Sequence, residues 1–243
     1  MVNIILLGIA GSGKSTLISK FSEWLKEKDL KASKFNFDCA ADYLPYIPDF
    51  DIRKYFTLEK IMNKYKIGPN AALLKSFELI SERKEEIKSE VEKIKSEINL
   101  IDVPGQLEIF IFSKGYELID IFGKNKTFAI YLIPADISSI SEIVLVQLLS
   151  LAARIKLEVP VINVISKADL SRINFEILNN PRKLKKELEK MSLGLEKEIA
   201  INSIKLVKNL LSKRIIKVSS ITCEGFQDLL DISYEIFCSC GEI

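Results

Sequence analysis

The sequence predicts an α/β fold, in which a doubly wound, mostly parallel sheet is flanked by helices and carries helical insertions. Three observations lead to this prediction. An apolar run, Val2 to Leu7, is followed at once by a glycine-rich loop over 8–16, and the loop is followed by a helix-forming stretch, Leu17 to Lys28. Further apolar runs alternate with helix-forming stretches along the chain, as they do in parallel sheets with right-handed crossovers.

Length and composition predict a single domain over 1–243, because 243 residues with 48% hydrophobic content can bury one large core. The insertions are expected at about 57–97 and about 172–212. A net charge of +2 gives no general argument for nucleic acid or an anionic membrane, so we expect neither as a direct partner. The chain has no histidine, which excludes histidine-activated nucleophiles and histidine metal ligands.

The cysteines and the apolar segments predict a cytoplasmic protein. The four cysteines lack zinc-type spacing, and a chain of this size needs no disulfides, so free thiols in a reducing cytoplasm are the simplest interpretation. The start lacks a basic leader, and the apolar stretch Ile143 to Ala153 is too short to span a bilayer. Cys238 and Cys240 lie near the end of the chain, where a frayed tail competes with a redox or metal role.

The glycine-rich loop predicts a phosphate site. It matches the pattern G-x-x-x-x-G-K-[ST], in which the backbone curls so that several N–H groups and a helix N-terminus face one anion. The expected phosphate-binding residues are Gly11, Ser12, Gly13, Lys14, Ser15 and Thr16. Lys14 is expected to reach the β- and γ-phosphates, and the Ser15 hydroxyl to hold Mg²⁺. The competing interpretation is a glycine turn that binds nothing.

A second metal anchor is predicted at the end of the strand Ile98 to Val103. Asp102 lies where a carboxylate beside a phosphate loop holds Mg²⁺ directly or through water. Gln106, four residues later, lies where an amide can orient a water for attack on the γ-phosphate. In a chain without a phosphate loop, the sequence at 102–105 would indicate an ordinary turn after a strand.

The strand Val159 to Ser166 leads into a predicted base site. The Asp169 carboxylate can accept the paired N1–H and 2-amino donors of guanine, a pair that adenine does not offer. The stem of Lys167 is expected to cover the plane of the base. Backbone amides at Ser219, Ser220 and Ile221, after a last strand over Arg214 to Val218, are expected to meet the guanine O6. A surface turn is the competing interpretation of the Lys167–Asp169 segment.

The region before Asp102 carries a candidate switch and the first insertion. The strand Ala32 to Asp38 ends on a carboxylate, and the proline-bearing loop Cys39 to Asp51 is either a nucleotide-sensing switch or a rigid connection. A short helix is predicted over Thr57 to Lys66 with Thr57 as N-cap. By themselves, Gly68-Pro69-Asn70 indicate a C-cap glycine and a turn.

A long helix is predicted over Ala71 to Glu97, with an apolar stripe that packs either within the subunit or against a second copy. The stripe consists of Phe77, Ile80, Ile87, Val91 and Ile94. The remaining predicted elements are a strand over Thr127 to Pro134, a helix over Ser138 to Lys156 capped by Ser138 or Ser139, two helices in Asn174 to Ser212 and a closing helix over Glu224 to Phe237.

Taken together, these motifs resemble the GPN-loop GTPases, a branch of the phosphate-loop nucleoside triphosphatases. The resemblance covers essentially the whole chain, and the Gly-Pro-Asn triplet that names the family is its most specific part. It rests on Gly8 to Thr16, Asp38 to Tyr46, Gly68-Pro69-Asn70, Asp102 to Glu108, Ser166 to Asp169 and Ser219 to Ile221.

The resemblance implies a Mg²⁺-dependent homodimer, or a pseudo-symmetric heterodimer, that hydrolyses GTP to GDP and phosphate and acts as a switch or assembly factor. Gly68, Pro69 and Asn70 would then point into the partner's nucleotide site. Asp38, with a pKa near its ordinary value, would hold or polarise the attacking water together with Gln106, either by removing a proton or by only orienting the water. By family analogy, an unidentified protein client in the transcription machinery is a candidate partner.

Two positions depart from the family pattern. Cys39 replaces a proline, which is expected to loosen the start of the switch loop. Ser166 replaces Asn or Thr, which is expected to weaken or alter a hydrogen bond that braces the phosphate loop. Two other functions remain open from the sequence: a scaffold that holds GTP or GDP with negligible hydrolysis, and a small-molecule kinase that uses ATP.

Overall fold

A computed structural model describes residues 1–135, 140–170 and 216–237, together with scattered positions between 182 and 202. Its centre is a sheet whose described strands are all parallel. The strands are Val2–Leu7 (β1), Ala32–Asn36 (β2), Phe50–Asp51 (β3), Ile98–Asp102 (β4), Thr127–Pro134 (β5), Val161–Ser166 (β6) and Ile216–Lys217 (β7). Their order across the sheet is β3-β2-β4-β1-β5-β6-β7.

Helices cover both faces of the sheet. They are Lys14–Glu27 (α1), Leu58–Tyr65 (α2), Pro69–Glu82 (α3), Lys84–Val91 (α4), Leu107–Phe112 (α5), Glu117–Phe122 (α6), Ile140–Leu157 (α7) and Phe226–Glu235 (α8). Short 3-10 turns occupy Ile52–Lys54, Lys114–Tyr116, Lys124–Lys126 and Ala168–Leu170. The predicted doubly wound α/β fold is confirmed, and the described part of the sheet is parallel throughout.

The alternation of side chains along the buried strands divides the core between the two faces. In β1, Ile4 and Leu6 pack with α1 and α8, whereas Ile5 and Leu7 pack with the face that carries α2 to α7. Because both faces are covered, every residue of β1 and β5 is buried, which is why these strands are nearly continuous apolar runs in the sequence.

The strand over Thr127–Pro134 has the predicted bounds, whereas other elements differ from prediction. The helix after the glycine loop begins at Lys14, three residues before the predicted start at Leu17. Strand β3 lies inside the predicted loop Cys39 to Asp51, because a two-residue strand gives no alternating pattern to detect. Helices α5 and α6 were not predicted, since each has only six residues.

The predicted long helix over Ala71 to Glu97 is wrong, because the chain bends at Arg83 and forms α3 and α4 instead. Arg83 has φ −108° and ψ 17°, outside the helical region. Beyond the bend, the Lys84 ammonium bonds the Asp120 carboxylate of α6 at 2.7 Å. This ion pair joins the beginning of α4 to α6.

The apolar stripe packs within the subunit, which answers the alternative left open by the sequence. Its buried members, Phe77, Ile80, Ile87 and Val91, are at most 5% exposed and belong to the core on the α2 to α7 face, with Ile94 packed against them. The stripe is therefore unavailable as a contact with a second copy.

The Gly-Pro-Asn triplet begins a helix and does not end one. Lys66, with φ 55°, takes the left-handed position that closes α2, so the predicted C-cap glycine at Gly68 is wrong. Gly68 is the N-cap residue of α3 and Pro69 its first residue, where a missing N–H costs nothing. Thr57 caps α2 as predicted, with its hydroxyl accepting from the Lys60 N–H at 3.4 Å.

Several predictions lie outside the described residues. They are the caps at Ser138 or Ser139, the two helices in Asn174 to Ser212 and therefore the insertion at about 172–212, the beginning of the last strand at Arg214, and the roles of Cys238 and Cys240. Within the described ranges, no helix is both long and apolar enough to cross a membrane.

Candidate nucleotide site

The glycine loop has the backbone geometry of an anion cradle. Gly8, Gly11 and Gly13 have φ values of 147°, 77° and 92°, which residues with side chains rarely adopt. At Gly8 a Cβ would also lie 2.7 Å from the Ser12 hydroxyl and 2.9 Å from the Leu132 carbonyl oxygen. The loop therefore needs glycine to curl tightly and present the N-terminus of α1 to a ligand. Thr16, at the outer side of this turn, is exposed.

Lys14 lies across the loop. Its ammonium donates to the carbonyl oxygens of Gly8 at 3.0 Å and Ile9 at 3.3 Å, and the residue is 8% exposed. Burial lowers the pKa of Lys14, and the Asp102 and Asp38 carboxylates act in the opposite direction. The cation is thus poorly solvated, which strengthens its attraction to phosphate oxygens.

Ser15 and Asp102, the two predicted metal anchors, are in direct contact. The Ser15 hydroxyl donates to Oδ2 of Asp102 at 2.7 Å. Asp102 is 2% exposed, and burial raises its pKa to about 6 against the opposing effects of the Ser15 bond and the Lys14 charge. A Cβ on Gly105 would lie 3.0 Å from the Ala10 backbone, so the turn after β4 packs on the phosphate loop.

A hydroxyl and a carboxylate fit Mg²⁺, which prefers hard oxygen ligands and usually completes its shell with water and substrate phosphates. The described residues contain no cluster of three or more acidic or cysteine side chains that would form a separate metal cage. Ser15 and Asp102 would therefore supply two ligands to a metal whose remaining ligands come from water or a bound phosphate.

Tyr46 is a site residue that sequence reasoning missed. Its hydroxyl donates to the same Asp102 oxygen at 3.0 Å. Burial raises the pKa of Tyr46, and the negative charge of Asp102 raises it further. The hydroxyl is therefore neutral and acts as a hydrogen-bond donor. The preceding carbonyl, that of Pro45, accepts from the Ser19 hydroxyl of α1 at 2.9 Å. The proline-bearing loop thus contacts α1 and the predicted metal anchor, Asp102.

Asp38 follows β2 and faces the same region. Its Oδ1 accepts the Ala40 N–H at 2.9 Å, and its own N–H donates to the Asn36 side-chain oxygen at 3.0 Å. Burial raises the pKa of Asp38, whereas the Ala40 bond and the charges of Lys14 and Arg53 lower it. The expectation of an ordinary pKa is therefore wrong, because the carboxylate is partly removed from water.

Cys39 is buried in the core, and its carbonyl oxygen accepts the Leu58 N–H at 2.9 Å. Burial raises the pKa of the thiol to about 11, so it is protonated and behaves as an apolar side chain. Packing and this backbone bond hold the start of the loop. That Cys39 loosens the loop relative to a proline stays a prediction.

Gln106 and the Gly-Pro-Asn triplet are placed differently relative to the phosphate loop. Gln106 is half-buried directly before α5, beside Gly105, which packs on that loop. Gly68, Pro69 and Asn70 are exposed, and no hydrogen bond within the described part of the chain joins the Asn70 side chain to its own phosphate loop.

The predicted base site is preorganised by Ser219. Its hydroxyl donates to Oδ1 of Asp169 at 2.6 Å and accepts the N–H groups of Ile221 and Thr222, each at 3.2 Å. Ser219 is fully buried, whereas Asp169 is exposed and free to meet a ligand. These bonds thus hold the Asp169 carboxylate in place.

The neighbouring residues shape the same turn. Lys167 adopts a left-handed conformation with φ 57°, and the next N–H, that of Ala168, donates to the Val218 carbonyl at 3.0 Å. This bond joins the ends of β6 and β7. Ser220 is half-buried and Ile221 is 79% exposed.

Ser166 braces the phosphate loop directly. Its hydroxyl donates to the Ser12 carbonyl oxygen at 2.7 Å, and both residues are buried. The short hydroxyl reaches the loop at normal hydrogen-bond length. That this bond is weaker than, or altered from, the one that Asn or Thr would make stays a prediction. The Ser12 hydroxyl itself is buried and has no hydrogen-bond partner among the described residues.

The phosphate loop, the Ser15–Asp102 pair and the Asp169 turn all lie at the carboxyl ends of parallel strands. After β1 the chain forms β2 and β3 on one side of β1, and β4 then lies between β2 and β1. The strands β5, β6 and β7 follow on the other side of β1, so the direction in which strands are added reverses next to β1. Ligands of open α/β sheets bind at this reversal. Such a sheet, with a lysine-bearing glycine loop after its first strand, defines a phosphate-loop nucleoside triphosphatase.

Comparison with known proteins identifies the branch of this class. The family described as a conserved hypothetical ATP binding protein matches residues 6–239. GPN-loop GTPase PAB0955 of Pyrococcus abyssi is 28% identical over 99% of both chains, and GPN-loop GTPase 3 of Kluyveromyces lactis is 30% identical over 77% of this chain and 69% of its own. The crystal structure of PAB0955, described as a GTPase in apo form, superposes with a TM-score of 0.82 over 98% of both chains. The chain belongs to the GPN-loop GTPase family.

Proposed function

We propose that this protein is a Mg²⁺-dependent GTPase that hydrolyses GTP to GDP and phosphate. The bond between Ser166 and the Ser12 carbonyl carries the proposal, because it ties the strand that presents Asp169 to the loop that contains Lys14. A nucleotide with its phosphates in the loop is thereby held at a fixed position relative to a carboxylate suited to guanine. The description of the matched family mentions ATP, whereas the relatives are named as GTPases.

In the proposed site, Lys14 binds the β- and γ-phosphates, and Ser15 with Asp102 holds the metal. When bound, Mg²⁺ neutralises negative charge on the phosphates during transfer. The loop amides and the desolvated Lys14 ammonium supply the remaining positive potential at the same place. The reaction forms a bond between a water oxygen and the γ-phosphorus and breaks the bond to the GDP oxygen.

We assign the positioning of the attacking water to Asp38 and Gln106. The Asp38 carboxylate accepts the Ala40 N–H, the Asp38 N–H donates to the Asn36 side chain, and the Lys14 charge acts on the carboxylate. Gln106 lies in the turn that packs on the phosphate loop. An amide and a carboxylate suffice for this task because phosphoryl transfer depends mainly on alignment and charge stabilisation.

Replacing either Asp38 or Gln106 with Ala is expected to slow phosphate release roughly 100-fold, because the water loses its orientation. Nucleotide affinity is expected to stay within about threefold, since neither side chain is assigned to binding. Single-turnover hydrolysis of labelled GTP and titration with a fluorescent GDP measure the two quantities. Glu59→Ala, an exposed change in α2, is the matched control. Loss of affinity at an unchanged rate would contradict the assigned roles.

The loop Cys39 to Asp51 is proposed to move with the nucleotide state. The hydroxyls of Tyr46 and Ser15 both donate to Oδ2 of Asp102. The contact that holds the loop against Asp102 therefore uses the same oxygen atom that would bind a metal. A loaded site therefore weakens the hold of Asp102 on the loop. This competition is the local event that we propose as the start of a switch between dimer conformations.

We also propose that the protein acts as a homodimer in the cytoplasm and serves an unidentified protein client. Gly68, Pro69 and Asn70 are exposed at the start of α3 and would enter the partner's nucleotide site. Cys39 and Cys223 are free thiols, which agrees with a reducing compartment.

Mixing two inactive variants tests whether Asn70 acts across the dimer. Asn70→Ala and Asp38→Ala subunits are each expected to hydrolyse GTP slowly. If Asn70 acts in trans, each mixed dimer regains one complete site, so an equal mixture recovers about one quarter of the wild-type rate. Light scattering in GDP and in a non-hydrolysable GTP analogue measures the size of the particles. No recovery on mixing, or a monomer in both nucleotides, would contradict the trans role.

A further inference from the structure

A second set of polar side chains lies behind Asp38, outside the motifs of the nucleotide site. It consists of Asn36 at the end of β2, Asp51 at the end of β3 and Arg53 in the following turn, and we call it the β2–β3 clamp. We infer that the β2–β3 clamp positions Asp38 for hydrolysis, with Arg53 as its central positioning residue. This inference rests on the proposed GTPase function.

The first half of the β2–β3 clamp is a planar ion pair. Arg53 Nε donates to both oxygens of Asp51 at 3.0 Å, and Nη2 donates to Oδ2 at 2.6 Å. Oδ1 of Asp51 also accepts the side-chain amide of Asn36 at 2.9 Å and the Arg53 N–H at 2.9 Å. Arg53 and Asp51 have side-chain exposures of 25% and 24%, so this pair is better shielded from water than a surface ion pair.

The second half of the β2–β3 clamp reaches the backbone on both sides of the Asp38 carboxylate. The Asn36 side-chain oxygen accepts the Asp38 N–H at 3.0 Å, and its amide donates to the Asp38 carbonyl at 3.3 Å. Three residues later, Arg53 Nη1 donates to the Ala41 carbonyl at 2.8 Å. The turn that carries the carboxylate is therefore held at its beginning and at its end.

The strand register ties this turn to the metal anchor. Asn36 is fully buried and lies in register with Asp51 on one side and with Asp102 on the other. Because a sheet is stiff across neighbouring strands, the β2–β3 clamp sets the position of Asp38 relative to Asp102. A displacement near 1 Å at a group that aligns a reacting water costs roughly 100-fold in rate.

Arginine is needed at this position because one planar guanidinium binds both the Asp51 carboxylate and the Ala41 carbonyl. Two of its nitrogens bind the Asp51 carboxylate, while the third points to the Ala41 carbonyl. Lysine keeps the charge near Asp38 but has a single nitrogen on a flexible stem. Arg53→Lys therefore removes the simultaneous bonds to Asp51 and Ala41 but keeps a positive charge near Asp38.

The test measures single-turnover GTP hydrolysis and GTP affinity of full-length Arg53→Lys with Mg²⁺. We expect the rate to fall roughly 10- to 100-fold and the affinity to stay within about threefold, because the defect lies in alignment. Arg83→Lys is the matched control, since Arg83 lies at the bend between α3 and α4 and its side chain is about half exposed. Thermal unfolding of both variants reports any loss of stability.

A double-mutant cycle separates positioning from general support of the fold. In an Asp38→Ala background, Arg53→Lys is expected to have almost no further effect on the rate, because the group that it positions is already absent. An equal slowing in both backgrounds, a wild-type rate for Arg53→Lys, or a parallel loss of GTP affinity would overturn the inference. Absence of turnover in the wild-type protein would instead overturn the proposed function and, with it, the role of the β2–β3 clamp.

Discussion

Asp169→Asn is expected to lower the affinity for GTP at least about 100-fold and to raise the affinity for xanthosine triphosphate. The Asp169 carboxylate is exposed and fixed by Ser219, so it can accept two guanine donors at once. The Asn side chain would place an N–H₂ donor against the guanine 2-amino donor. Xanthine carries a carbonyl at that position, so the same amide gains a partner.

Calorimetry of the Asp169→Asn variant with GTP and with xanthosine triphosphate checks this exchange of specificity. Ser219→Ala is a graded companion change, because it frees the Asp169 carboxylate without altering its acceptors. Because both carboxylate oxygens remain available to guanine, Ser219→Ala is expected to lower GTP affinity less than Asp169→Asn does and to leave guanine preferred. Equal affinity of wild type and Asp169→Asn for GTP would show that the turn after β6 does not read the base.

Lys14→Ala is expected to reduce GTP affinity by about 100-fold or more, since a poorly solvated ammonium interacts strongly with phosphate oxygens. The effect should be larger for GTP than for guanosine, which lacks phosphates. Fluorescent-nucleotide titration measures both affinities. Lys20→Ala is the control, because Lys20 lies on the same helix and pairs with Glu23 at the surface.

The Lys14 change also removes two bonds to loop carbonyls, so loop integrity needs its own measurement. Lys14→Met keeps the apolar stem and the volume, and it is expected to lose GTP affinity to a similar extent. Guanosine binding that stays within about threefold of wild type in both variants would locate the loss in phosphate contact. GTP affinity equal to that of wild type in both would contradict the role of Lys14.

The site motifs could be predicted from the sequence because each is a short segment whose residues are close together in the chain. The spacing from Gly8 to Lys14 dictates a curled loop, and Asp102 and Asp169 lie at or just beyond strand ends. In a parallel sheet, strand ends of the same direction meet at one edge, so the loop and the two carboxylates could be placed together without coordinates.

Contacts between distant residues could not be predicted in the same way. Tyr46 lies 56 positions before Asp102, and Arg53 lies 12 positions after Ala41, with no periodic pattern to link either pair. Strand β3 is too short to alternate, and the Lys84–Asp120 bond beside the bend at Arg83 joins residues 36 positions apart. These features arise from tertiary packing, which overrides local propensity.

The most direct test of this account is isothermal titration of the purified wild-type protein with GTP and with ATP in the presence of Mg²⁺. We expect GTP to bind at least about 100-fold more tightly than ATP, because Asp169 can accept a donor pair that only guanine presents. Equal affinities for the two nucleotides, or binding of ATP alone, would contradict the claim that this site is built for GTP.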